Sequence, residues 1–138
     1  MRKAIQIITA VSLAASLGLS LGACSSSPSE NKAAACQANT AFVEAVTGVQ
    51  NSLDSSSTLA EIKAARDTVK TAYTELDKQL DKVGSDQVKA LETAWKDLDD
   101  AVSGLDDNLT VPEAKVALED SLAQVKNAQD KIESGLTC

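Results

Sequence analysis

The sequence predicts an all-α protein, an up-down-up-down four-helix bundle. Three observations carry that reading. Apolar residues recur at spacings of three and four along four successive segments, at about 35–53, 58–83, 86–105 and 111–135. Two of those segments open on a Thr-x-x-Glu capping box. Short turns separate neighbours of similar length, which makes neighbours antiparallel. No period-two run of β-branched residues competes.

The first helix rests on Phe42, Val46, Val49 and Leu53, and the Ser-rich run "DSSS" at 54–57 stops it. The second opens at "TLAE", with Thr58 as N-cap and Glu61 completing the box. Its seam is Leu59, Ile62, Val69, Tyr73, Leu76, Leu80 and Val83, and Gly84 stands where a left-handed cap is wanted. Position 66 belongs to the same seam, yet it is Arg.

The third helix follows Ser85, with Asp86 in a first turn where negative charge suits the helix dipole. Val88, Leu91, Trp95, Leu98, Val102 and Leu105 give the most regular seam in the chain, and Asp106-Asp107-Asn108 breaks it. The fourth opens at "TVPE", with Thr110 as cap, Pro112 in the first turn and Glu113 closing the box. Leu118, Leu122, Val125, Ile132 and Leu136 line its apolar face.

The N-terminus has a different composition. "MRK" is followed by the uncharged, aliphatic residues 4–23, the layout of a secretory signal peptide. It ends in Leu21-Gly22-Ala23-Cys24: an aliphatic residue, two small ones, then Cys. This stretch resembles the lipobox of bacterial lipoproteins. The resemblance covers about the first 25 residues and names no functional family within that class. It implies cleavage after Ala23 and a diacylglyceryl group on the Cys24 thiol, with acyl chains such as palmitate. Two chains on one residue give stable anchoring where one gives only marginal binding. The expected organisation is a cleaved signal peptide at 1–23, a lipidated Cys and flexible tether at 24–35, and a bundle domain at 36–138. The expected location is extracytoplasmic, lipid-anchored to the bacterial cell membrane.

Lipid on Cys24 accounts for the odd cysteine among three. An even number of helices returns the chain end to the start of the first helix. Cys36 and Cys138 then meet, and an exported protein meets an oxidising compartment. The expectation is a Cys36–Cys138 disulfide; free thiols or a metal site are the alternative.

Composition narrows the chemistry. The chain has no His, which removes the commonest general base and zinc ligand. Without Arg2 and Lys3, 11 basic residues face 20 acidic ones. A surface that acidic repels phosphate backbones, so no nucleic-acid partner is expected. The run "DLDD" at 97–100 lacks the alternation of a calcium loop and reads as a solvated helix face. No nucleophile frame or phosphate loop occurs. No catalytic residue, metal site or cofactor is assigned, and the chain is not expected to be an enzyme.

Arg66 is the one anomalous position. It either fixes register through a buried ion pair or holds an anionic ligand between helices. The plainer reading places it at the seam's edge, extending to water. Tyr73 and Trp95 read as core, with a ligand cavity as the other possibility. The functional expectation is a non-enzymatic protein-interaction or envelope structural module with an envelope or extracellular protein as partner. The alternative is a bundle that holds a small or apolar ligand, as an accessory to solute uptake or sensing.

Overall fold

A computed structural model describes residues 27–54 and 56–138. The signal peptide, the lipobox and Cys24 lie outside the described residues. Four helices follow in order: α1 Pro28–Asn51, α2 Leu59–Val83, α3 Val88–Ser103 and α4 Val111–Leu136. There is no strand among the described residues. Each helix packs on two neighbours, α1 on α2 and α4, and α3 on α2 and α4. Contacts between helix ends fix the alternating direction. Lys32 near the start of α1 donates to Thr137 Oγ1 past the end of α4 at 2.6 Å. Lys63 near the start of α2 meets Asp107 past the end of α3, also at 2.6 Å. The fold is the predicted four-helix bundle.

The capping boxes form as the sequence requires. The Glu61 carboxylate accepts the Thr58 N–H at 2.7 Å, and the Thr58 hydroxyl accepts the Glu61 N–H at 3.3 Å. Glu113 accepts both the N–H and the hydroxyl of Thr110, at 2.8 and 2.7 Å. Gly84 takes φ +65°, ψ +41° and closes α2. Its N–H bonds back to the last turn, as a left-handed cap does.

The start of α1 corrects the expected organisation. The helix begins at Pro28 rather than about 35, so residues 28–35 are helical and not a flexible tether. Ser27 is the N-cap, with Pro28 in the first turn. The Ser27 N–H donates to Glu30 at 2.7 Å and the Glu30 N–H returns to Ser27 Oγ at 3.3 Å. This third capping box satisfies donors the helix would otherwise leave orphaned. Ala35, fully buried, shows that the early turns belong to the core.

α3 is shorter than predicted. It spans 16 residues, because residues 85–87 form a turn in which the Gln87 N–H donates to Ser85 Oγ at 3.3 Å. At its other end the helix stops at Ser103, yet Leu105 folds back into the core from the turn. Leu53 does the same beyond the end of α1.

The core is one continuous cluster. Phe42, Ile62, Leu76, Leu80, Leu91, Leu98, Leu118 and Ile132 are its largest fully buried side chains. Each stabilises the fold by about 1.5–3 kcal/mol relative to exposure. Between them sit Ala35, Ala38, Ala45, Ala94, Ala114 and Ala128. Four polar residues share the interior: Asn39, Gln79, Ser121 and Gln129. Ser121 on α4 donates to the Asp97 carbonyl of α3 at 3.5 Å, and Lys82 donates to the Gln79 side-chain carbonyl at 3.0 Å.

Candidate functional site

Cys36 and Cys138 stand at disulfide distance, with sulfurs 2.17 Å apart and Cα atoms 5.8 Å apart. Two helices and a cap position them. Cys36 lies in the third turn of α1, and α4 ends one residue before Thr137. Thr137 takes φ +51°, ψ +47°, a left-handed conformation that costs a side-chain-bearing residue about 1–2 kcal/mol. It breaks the helical path immediately before Cys138. A bond between the two sulfurs would close 102 residues of sequence. In the chain-entropy account a loop of that size contributes up to ~4.7 kcal/mol.

Arg66 lies between α2 and α3. Its Nη1 is 3.2 Å from Asp99 Oδ1 on α3 and 3.2 Å from Asp67 Oδ1 on its own helix. Its Nη2 also reaches Ser103 Oγ at 3.5 Å. The Arg66 side chain is 21% exposed and that of Asp99 is 32%. The arrangement combines two of the sequence readings. The residue sits at the seam's edge, and it bridges two helices through a half-buried ion pair. Two carboxylates already occupy the guanidinium, so an anionic ligand there would meet like charge.

Tyr73 and Trp95 stack across α2 and α3. Trp95 is buried and Tyr73 half-buried, so the pair is packing rather than the wall of a chamber. Burial pushes the Tyr73 hydroxyl up to about 12, and the nearby carboxylates of Asp77, Glu92 and Asp81 push the same way. Burial raises Asp77 as well, helped by Asp81 and Glu92.

The cavities are surface grooves. One of about 500 Å³ opens at the end of the bundle where α1 begins, between the α2–α3 turn and the end of α4. One of about 810 Å³ runs along the outer face of α1 and α2, over Ala41, Ala45, Gly48, Ala65 and Ala72. Neither is lined by any of the largest fully buried side chains. Among the described residues no group of three or more His, Cys, Asp or Glu side chains is placed to hold a metal ion.

Charge is distributed unevenly along the bundle axis. Cut at mid-helix, the half that contains the cysteine pair comprises residues 27–39, 71–95 and 125–138. It carries six basic and eight acidic side chains. The other half carries five basic and twelve acidic ones. The acidic pole gathers Asp97, Asp99, Asp100, Asp106 and Asp107 around the end of α3. The sequence shows the overall charge balance but not this polarity, because it arises from stacking four segments in alternating directions.

No known protein family, no curated protein and no solved structure matches this chain. Among the described residues no helix is long and apolar enough to cross a membrane.

Proposed function

We propose that this chain is an extracytoplasmic bacterial lipoprotein, held to the cell membrane by a diacylglyceryl group on Cys24. Its helical bundle acts without catalysis, by contact with an envelope or extracellular protein. The observation that carries the anchor is Leu21-Gly22-Ala23-Cys24, in register after a positive start and an uncharged aliphatic stretch. The pairing distance between the other two cysteines supports it, since that leaves Cys24 as the one thiol without a sulfur partner. The absence of histidine and of any nucleophile frame in the sequence supports the non-enzymatic part. A ligand held between the helices has less support, because the two grooves named above do not reach the central core side chains.

The test is expression in a bacterial host with its lipoprotein-processing machinery. The expected product fractionates with membranes, begins at Cys24 and carries diacylglyceryl mass on that residue. A Cys24→Ala variant that remains membrane-bound would sink the anchor. Crosslinking on intact cells, read by mass spectrometry, tests the partner: repeated failure to recover any protein neighbour would count against an interaction module.

A further inference from the structure

We infer that the bundle stands end-on at the membrane, seated on the end that holds the cysteine pair, with Lys32 and Lys82 facing the phosphates of anionic phospholipids. The inference rests on the lipid anchor proposed above and adds an orientation to it.

The first support is length. Only Ser25 and Ser26 separate Cys24 from the helix cap at Ser27. Three residue steps reach at most about 10–11 Å, even fully extended. The Ser27–Glu30 capping box leaves no further slack, because the chain is helical from Pro28 onward. The opposite pole is much farther away. The 26 residues of α4 rise about 39 Å at 1.5 Å each. The cysteine-pair end is therefore held at the bilayer surface, and the bundle can only stand or tip over.

Charge decides between those postures. The near half carries a side-chain charge of about −2 and the far half about −7, from the residues counted above. Tipping would bring the acidic half within a Debye length, about 8–10 Å, of an anionic surface. Standing keeps most of it outside that range.

The seated end also has chemistry suited to headgroups. Its groove of about 500 Å³ is lined by Pro28, Asn31, Lys32, Lys82 and Ser85 among others. Both lysines are exposed, and each donates to a neutral oxygen: Lys32 to the Thr137 hydroxyl at 2.6 Å, Lys82 to Gln79 at 3.0 Å. A phosphate can replace those acceptors without breaking an ion pair shown there. Asp86 lines the same groove and opposes binding, so two lysines are needed for net attraction.

The test uses the full-length, lipidated protein in vesicles of phosphatidylglycerol and phosphatidylcholine. A photo-crosslinking amino acid replaces exposed Ser134 at the seated end or exposed Gln50 at the far end. The expected result is several-fold more lipid adduct from position 134 than from position 50. Lys32→Ala with Lys82→Ala should lower the position-134 yield by about fivefold per lysine at most, the scale of one basic residue near an anionic surface. Equal yields at the two positions, or a position-134 yield indifferent to both lysines, overturn the end-on seating while the anchor stands. Protein that does not float with the vesicles overturns the anchor itself, and the seating with it.

Discussion

The Tyr73 and Trp95 rings lie 5.5 Å apart, centroid to centroid, with planes only 19° from parallel. They join α2 to α3 at the margin of the core. Such pairs contribute about 0.5–1.5 kcal/mol beyond the area they bury. The chain has one tyrosine, so its titration can be read without ambiguity. Phenolate absorbance should rise around pH 12 in the folded protein and around pH 10 after denaturation in urea. The folded value is the higher one. The stability this difference supplies is therefore complete below pH 10 and is lost as pH rises through 12. A folded-state titration near the ordinary value would show that Tyr73 is not buried against α3.

The acid limb has the opposite sign. Bonds from the Ser27 backbone and side chain hold Glu30 below its ordinary 4.5. Bonds from the Thr110 side chain and backbone do the same for Glu113. The Asn108 backbone and side chain lower Asp106 from 3.8. Depressed carboxylates stabilise the fold above their ordinary values, and that contribution disappears as pH falls through the folded ones. Asp77, raised by burial, works against this trend, since acid relieves it. Glu113→Gln keeps the cap but not the charge. Its unfolding midpoint should vary less with pH below 4.5 than that of the parent. An unchanged acid slope would remove the cap from the account.

Arg66 and Asp99 form the clearest polar link between α2 and α3. Asp99 Oδ1 is buried and has no aligned hydrogen bond, so the charge contact at 3.2 Å is what offsets its desolvation. Arg66→Leu alone leaves that carboxylate uncompensated and should destabilise. Adding Asp99→Leu should recover much of the loss. The coupling energy of the cycle should be about 0.5–1 kcal/mol, at the upper end of exposed pairs, and should shrink with salt. Additive effects would mean that the two side chains are not energetically coupled.

Two glycines should respond in opposite directions to alanine. Gly84 has φ +65° and open space around it, so Gly84→Ala costs about 1 kcal/mol through backbone conformation alone. Gly48 lies inside α1 with nothing near its missing Cβ. Gly48→Ala should stabilise by about 0.5–1 kcal/mol, by restricting the unfolded chain and favouring helix. Thermal unfolding of the two variants checks both signs.

The helix seams were legible because each is a local pattern. Ile62, Leu76, Leu91, Leu98, Leu118 and Ile132 were named from spacing and are fully buried. The cysteine pair was legible from helix parity. The start of α1 was misread because "SSSPSE" has the composition of a linker. Its Ser27-x-x-Glu30 pattern, with Pro28 in the first turn, is the same cap that was read correctly at Thr110. The buried alanines and Gln129 were not assigned to the core, since a small or polar residue signals burial only once its neighbours are known. Asp99 as the partner of Arg66 depends on the relative height of two helices, which neither segment encodes alone.

The closeness of Cys36 and Cys138 also bears on nicking by proteases. With the two sulfurs bonded, a cut between α1 and α2 or between α3 and α4 would divide the backbone but leave both pieces joined. Separating the pieces would then need a reductant as well as a protease. Upstream of Cys36 the chain is wound into helix from Pro28, a poor fit for a protease cleft that binds extended chain.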